Sequence, residues 1–224
     1  WTPCASSTRR PSAPSAPGSI SGLTLVSEGA TGITYSISPV TFATTYTWTV
    51  PSGASITAGQ GTMSITVTFG STAGNVSVTA GNACGTSAAS NLAVTIYKAY
   101  YWVGTGNWND FSGGFYTHWA TTSGGGTLRT TLPAITDDVY FDAGSGSGTA
   151  TFNTASANCR NINFTGFSGI INGNQALAVY GSLTLAATVT LSYIGTLSFR
   201  ATTARNTITT AGKTIAGIVT FNGT

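Results

Sequence analysis

The stretch TYTWTV at residues 45–50 decides the fold of the first part of the chain. Tyr46 and Trp48 alternate with threonines, and a period of two places successive side chains on opposite faces of a β-strand. The same alternation recurs in ITYSIS at 33–38 and in SITVTF at 64–69. Each strand is therefore apolar on one face and rich in hydroxyl groups on the other, which predicts half-buried sheets.

The alternation extends over residues 20–97 as a series of short strands. Glycine-, proline- and asparagine-containing turns separate them, and such strands at roughly 8–12-residue spacing favour an antiparallel β-sandwich. Trp48 lies on the apolar face and is expected in the core. The predicted strands lie near 20–26, 33–38, 44–50, 54–57, 63–69, 75–80 and 91–97.

The composition describes a secreted β-scaffold. Only 6% of the 224 residues are charged, 41% are hydrophobic, and the net charge is +3. This hydrophobicity excludes a disordered chain. The eight Lys and Arg residues are scattered and form no basic stripe, so we expect no nucleic acid partner. We expect no membrane insertion, since no apolar run reaches the length of a membrane span. The start at Trp1 without an initiator Met suggests a segment of a larger protein.

Three cysteines, Cys4, Cys84 and Cys159, leave one without a partner inside this sequence. A Cys4–Cys84 disulfide would fit an oxidising compartment, but spacing alone leaves the pairing and the fate of Cys159 open. The sequence has no Cys-x-x-Cys pair and a single histidine, His118, so it supplies too few ligands for a zinc site.

A family resemblance rests on four blocks that follow one another: YTWTVPSGA at 46–54, GQGT at 59–62, ITVTF at 65–69 and VSVTAGNACG at 76–85. Together they resemble the PKD-like immunoglobulin-fold modules of secreted, multi-domain surface proteins of Bacteroidota, over about residues 14–97. Such modules often carry a cysteine near the position of Ser27 that can pair with the one in the Asn-Ala-Cys-Gly block. Because serine stands here, that bridge is not expected, and Cys84 is either free or pairs with Cys4.

Composition divides the chain into four parts. Residues 1–19 are rich in proline and are expected to be a linker or the tail of a preceding domain. The sandwich at 20–97 precedes a Trp-rich segment at 98–142. Short β segments then recur through 143–224, with apolar positions about every 10–20 residues, as in a solenoid whose turns bury their faces against one another. A second sandwich is the alternative for this last part.

The Trp-rich segment admits two interpretations. The order Trp-x-Gly, Gly-Asn-Trp, Trp, Pro and Asp-Asp-Val resembles the entry segment of parallel β-helix regions in large bacterial surface proteins and adhesins, which implies a cap on the end of the helix. Alternatively, Trp102, Trp108 and Trp119 could form an exposed platform that stacks on glycans. Exposure of the three rings would discriminate between the two.

The acidic residues are too few for an evident catalytic site. Glycoside hydrolysis usually needs two carboxylates about 5–10 Å apart, yet no acid follows Asp142. Asp137 and Asp138 are adjacent and would point to opposite faces of a strand. Asp137, Asp138 and Asp142 are weak candidate ligands for calcium, although turn capping suits them better. We therefore expect no enzyme activity and no cofactor.

The sequence thus predicts an all-β extracellular or cell-surface protein: a PKD-like sandwich, a Trp-rich cap and the beginning of a parallel β-helix. The expected role is structural and adhesive, as a surface stalk, an adhesin or a self-assembling filament subunit. Self-association, other surface proteins and glycans are the expected partners. The alternatives are a carbohydrate-binding module of a secreted enzyme and a phage tail fibre or spike. The adhesion target, the source and the oligomeric state stay open at this point.

Overall fold

A computed structural model describes residues 12–155 and 157–223. The chain divides into two compact units, with the boundary between Tyr97 and Lys98. Strands dominate both units, and the only helix among the described residues is the single-turn 3-10 element Ala143–Ser145. The architecture is all-β, as the alternation predicts.

The described residues of the first unit form eight strands in two sheets. One sheet has the order β1-β8-β6-β3, with β7 beside β6, and the other has the order β2-β5-β4. Buried side chains from both sheets form one core. Six of the seven predicted strands are present, the strand predicted at 20–26 is shifted to Leu25–Ser27, and β7 is a short addition. The strands are β1 (Leu25–Ser27), β2 (Ile33–Ser36), β3 (Thr45–Thr49), β4 (Ser55–Ala58), β5 (Ser64–Thr68), β6 (Gly74–Asn82), β7 (Gly85–Thr86) and β8 (Ser90–Tyr97).

Trp48 is buried in this core, as expected, and the Gly-Gln-Gly turn fixes it there. Its indole Nε1 donates a hydrogen bond to the carbonyl oxygen of Thr62 at 2.8 Å. The Gln60 side chain accepts from the Trp48 amide at 3.0 Å and donates to the Trp48 carbonyl at 2.9 Å. Since β3 ends the order of its sheet, the Gln60 amide takes the place of a further strand and covers an exposed edge.

The end of the expected linker is attached to the sandwich. Residues 12–19 contain no strand, but Pro14 and Pro17 are buried. Asn82 donates its side-chain amide to the Ser12 carbonyl at 2.8 Å, and the Ser90 hydroxyl donates to the Pro17 carbonyl. The expected linker character of residues 1–11 lies outside the described residues.

The two cysteines that the structure describes differ in state. Cys84 is disulfide-bonded. Its expected partner, Cys4, lies outside the described residues, so the Cys4–Cys84 pairing stays a prediction. Cys159 is a free, buried thiol of the second unit, and burial raises its pKa far above the ordinary value.

The second unit contains many short strands. Their bounds are β9 (Ala99–Trp102), β10 (Gly106–Asn107), β11 (Phe111–Ser112), β12 (Phe115–Tyr116), β13 (Trp119–Thr122), β14 (Gly125–Leu128), β15 (Asp138–Tyr140), β16 (Thr149–Phe152), β17 (Ala157–Cys159), β18 (Ile162–Asn163), β19 (Ile170–Gly173), β20 (Leu177–Val179), β21 (Leu183–Thr184), β22 (Thr190–Leu191), β23 (Leu197–Phe199), β24 (Ile208–Thr209) and β25 (Val219–Phe221).

From β15 onward these strands stack as a β-solenoid with three parallel sheets. The sheets are β15-β18-β21-β24, β16-β19-β22 and β17-β20-β23-β25, and every pairing within them is parallel. Leu177 pairs with Leu197, one turn of about 20 residues later. The alternative of a second sandwich is therefore wrong, because a sandwich would pair its strands antiparallel.

The solenoid buries its apolar side chains in a column at its centre. Apolar residues of successive turns, such as Ile162, Leu183 and Leu197, lie in this core. The Trp-rich segment contributes to the same core, so the cap and the turns pack as one unit. Solenoid turns of this kind stabilise one another because each buries its faces mainly against its neighbours.

Candidate functional site

The three tryptophans that could have formed a glycan platform all lie in the core. Trp102 is the last residue of β9, Trp108 follows β10, and Trp119 begins β13. Their exposed fractions are 0%, 1% and 0%. A ring that stacks on a sugar must present a face to solvent, so the expectation of glycan stacking at these residues is corrected by their burial.

The rings pack edge to face and then continue as a stack along the solenoid. Trp119 makes T-shaped contacts with Trp102 and Trp108 at centroid distances of 5.1 and 4.6 Å. Trp102 stacks on Phe141 at 5.4 Å, and Phe141 stacks on Phe164 of the next turn at 4.6 Å. These geometries are the favourable ones for aromatic pairs, each adding about 0.5–1.5 kcal/mol beyond area burial.

The backbone around these rings forms the cap. Strand β9 pairs in parallel with β15 on one side, which continues the solenoid sheet. On its other side β9 pairs antiparallel with β13, where Trp119 lies opposite Trp102, and β13 turns back into β14. An antiparallel hairpin therefore covers the edge that the parallel sheet would otherwise expose, as the cap interpretation predicts.

Asp138 holds the first complete turn of the solenoid to the second. Its buried carboxylate accepts two hydrogen bonds from the Arg160 guanidinium, at 2.8 and 2.6 Å, and one from the Asn161 amide at 2.8 Å. Asn161 in turn accepts from the Ser182 amide at 2.7 Å, one turn further on. A bidentate, partly buried pair of this kind combines charge with fixed geometry.

The other two calcium candidates accept hydrogen bonds from backbone amides. Asp137 accepts from the amides of Lys98 and Ala134 at 2.8 and 3.0 Å. Asp142 caps the 3-10 turn by accepting from the Gly144 amide at 2.9 Å. Among the described residues no group of three or more His, Cys, Asp or Glu side chains could hold a metal ion. The three aspartates therefore do not converge on one calcium site.

Asp110 and His118 lie side by side in the cap. His118 Nε2 lies 3.3 Å from an Asp110 carboxylate oxygen, and its Nδ1 lies 2.8 Å from the Val103 carbonyl oxygen. Burial raises the pKa of Asp110, but hydrogen bonds from Asn107 and the facing imidazole outweigh it and hold that pKa below its ordinary value. Both imidazole nitrogens face oxygen atoms of the cap, which fixes the orientation of the ring.

Arg160, Asn161 and the Asp110–His118 pair were not among the predicted site residues. The partners of Asp138 lie one solenoid turn away in sequence, so no local motif marks them. The pairing of Asp110 with His118 depends on the chain reversal between β11 and β12, which a two-glycine turn at Gly113 and Gly114 makes with positive φ at both positions. That Gly-Gly dipeptide was the available signal.

Comparison with known proteins finds a similarity for the first unit alone. The family model described as PKD-like domain matches residues 13–94. No curated protein matches the chain, and no solved structure matches it either. The part of the chain that the structure describes contains no helix with the length and apolarity that crossing a membrane requires. The chain thus combines a PKD-like domain, of a kind that occurs in extracellular proteins and is typically non-catalytic, with a β-solenoid.

Proposed function

We propose that this protein is a non-enzymatic, secreted structural and adhesive module that serves at a cell surface as a stalk or adhesin. The observation that carries the proposal is that three aspartates at the start of the solenoid are engaged in structural hydrogen bonds. Asp137 and Asp142 accept from backbone amides, and Asp138 accepts from the Arg160 guanidinium of the next turn. Groups held in this way maintain a shape and are poorly placed to move protons.

The polar, largely uncharged surface of the strands supports the same structural role. Outward positions of the sandwich strand β3 carry the exposed threonines Thr45, Thr47 and Thr49. Those of the solenoid carry Thr, Ser and Asn. Such surfaces are hydrated without charge, and closely paired strands give a protease little accessible backbone to cleave. The PKD-like match and the disulfide-bonded Cys84 agree with an oxidising, extracellular location. Bacteroidota surface proteins are the context that we propose.

The non-enzymatic role can be tested by looking for turnover. Purified protein is incubated with polysaccharides and with chromogenic esters and glycosides, beside the variants Asp110→Asn and His118→Gln. We expect no product from the wild type. Turnover that both variants lose, and that an Asn222→Ala control keeps, would overturn the proposal and favour the alternative of a secreted enzyme.

A second candidate role is a self-assembling filament subunit. It is favoured by exposed apolar side chains of the solenoid that lie before its last turn, Ile170 (38%) and Ile194 (64%). The low charge of the chain opposes association only weakly.

Sedimentation velocity tests this second role. Concentration-dependent association that Ile170→Ser and Ile194→Ser abolish, while a control at the exposed Phe111 of β11 does not, would support assembly through these side chains. A single, stable trimer would favour the phage fibre alternative. A monomer at all concentrations would exclude the filament role for this segment.

A further inference from the structure

The outer side of the sheet β16-β19-β22 contains an open depression of about 350 Å3. Four polar side chains line it, together with the exposed Ile194, the edge of the core residue Phe152 and Gly173; the polar ones are Thr151, Asn153, Asn172 and Asn174. None of the predicted site residues lies here, and the four polar side chains are not part of the solenoid core.

Parallel stacking brings polar side chains of two neighbouring turns together. Thr151 pairs with Asn172 in the register of β16 and β19. Asn153 and Asn174 directly follow β16 and β19, two positions beyond that pair. Turns of a parallel sheet repeat about every 4.8 Å. The depression therefore offers hydrogen-bonding groups at a regular spacing along the solenoid.

These amides are available to a ligand. Asn153 and Asn172 are exposed, and their side chains make no hydrogen bond with another residue of the described ranges 12–155 and 157–223. Asn174 accepts a hydrogen bond from the Gln175 side chain at 3.1 Å, which leaves its own amide donors free. Each asparagine side chain carries two N–H donors and a carbonyl acceptor, so it can pair with a hydroxyl group in either direction.

The chemistry of the lining selects an uncharged ligand. The depression is lined by amides, a hydroxyl, Gly173, the buried Phe152 and the aliphatic side chain of Ile194, which is 64% exposed. No Lys, Arg, Asp or Glu is among its lining residues, so a charged ligand would find no counter-ion there. A pyranose has this complementary character, since its hydroxyl groups pair with amides and its C–H face packs on aliphatic carbon.

We propose that this depression binds an uncharged glycan whose sugar residues follow the turns of the solenoid. The proposal rests on the adhesive role proposed above and assigns its ligand class. In this proposal the glycan site lies at the asparagine side chains on the face of the solenoid, and not at the buried tryptophans of the cap. Because no ion pair contributes, the affinity is expected to be nearly independent of salt.

Isothermal calorimetry and glycan-array binding test the proposal with cellohexaose, mannohexaose and xylohexaose, and with hexagalacturonate as the charged comparison. The variants are Asn153→Ala combined with Asn172→Ala, and separately Ile194→Ser. Asn222→Ala is the matched control, since it removes an exposed amide outside the depression. Exposed substitutions of this kind leave the fold intact, which the unfolding midpoint of each variant verifies.

The expected result is binding of at least one neutral hexasaccharide that weakens about tenfold or more in the double variant, weakens in Ile194→Ser and is unchanged in Asn222→Ala. Binding of hexagalacturonate alone, unchanged binding in the double variant, or no binding of any probe would each overturn this proposal and leave the structural role standing. Release of shorter oligosaccharides during the incubation would instead contradict the proposed non-enzymatic function.

Discussion

At the scale of single residues, two buried indoles of the cap differ in the hydrogen bonding of their ring nitrogens. Trp119 Nε1 donates to the Trp108 carbonyl oxygen at 2.8 Å, whereas Trp108 Nε1 is buried without a hydrogen-bond partner in the described part of the chain. Substitution by Phe removes a similar volume at both positions. Trp119→Phe also leaves a buried carbonyl unsatisfied, while Trp108→Phe removes an unpaired donor.

We therefore expect Trp119→Phe to lower the free energy of unfolding by about 1 kcal/mol more than Trp108→Phe does. Equilibrium urea unfolding, followed by tryptophan fluorescence and circular dichroism, measures the difference. Equal losses would show that the hydrogen bond to the Trp108 carbonyl contributes nothing to stability.

Asp110 makes the stability of the cap depend on pH. Because its pKa is lowered on folding, the contribution of Asp110 is fully present above its unfolded pKa, about 3.9, and is lost as the pH falls through the folded value. We expect the gap in urea midpoint between wild type and Asp110→Asn to be largest near neutral pH and to shrink below about pH 4. A gap that stays constant down to strong acid would contradict this role of the carboxylate.

At the scale of elements, the corners of the solenoid require glycine for reasons of space. A Cβ atom built on Gly169, just before β19, would lie 2.2 Å from the Gly148 carbonyl oxygen of the preceding turn. That oxygen accepts the Ile170 amide at 3.0 Å, so the two turns cannot separate without loss of a hydrogen bond between them.

We expect Gly169→Ala to destabilise the protein by about 1–3 kcal/mol, as overpacking does elsewhere. Gly18→Ala is the control, because a Cβ there meets no atom within 4 Å. Thermal unfolding of both variants measures the effect. A Gly169→Ala variant as stable as the control would mean that the turns can move apart at little cost.

The elements also show why sequence predicts some strands and not others. Strand β3 follows from its own alternation, since its buried residues Tyr46 and Trp48 are separated by exposed threonines. The sequence at strand Ile170–Gly173 of the solenoid, with two successive isoleucines between glycines, shows no such alternation. This short strand pairs with a neighbouring turn about 20 residues away, and no local pattern reveals that partner.

The candidate site was harder to predict from the sequence, because its residues come together only when the turns stack. Clustering of Trp102, Trp108 and Trp119 correctly indicated a special segment, but sequence alone does not distinguish a buried ring from an exposed one. The partner that engages Asp138 is Arg160, one turn further along the chain. The pairing of Thr151 with Asn172 likewise becomes visible only after the register of the parallel strands is known.

At the scale of the whole molecule, the two units have separate cores. We expect residues 1–97 to fold alone, and Trp48→Ala to cost that fragment about 3–5 kcal/mol, since Trp48 is one of its largest fully buried side chains. Urea unfolding of the fragment and of the full chain measures both statements. Stability like that of the wild type in the Trp48→Ala fragment would contradict the assignment of Trp48 to the core.

The ladder Ala157–Leu177–Leu197–Val219 has a consequence for how such a protein can change over time. Each member fits against the next with the same strand register, so a duplicated stretch of about 20 residues could be inserted between two turns without disturbing either. The insertion would lengthen the column by about 4.8 Å. Gene duplication of this kind changes the length of the solenoid in equal increments of one turn.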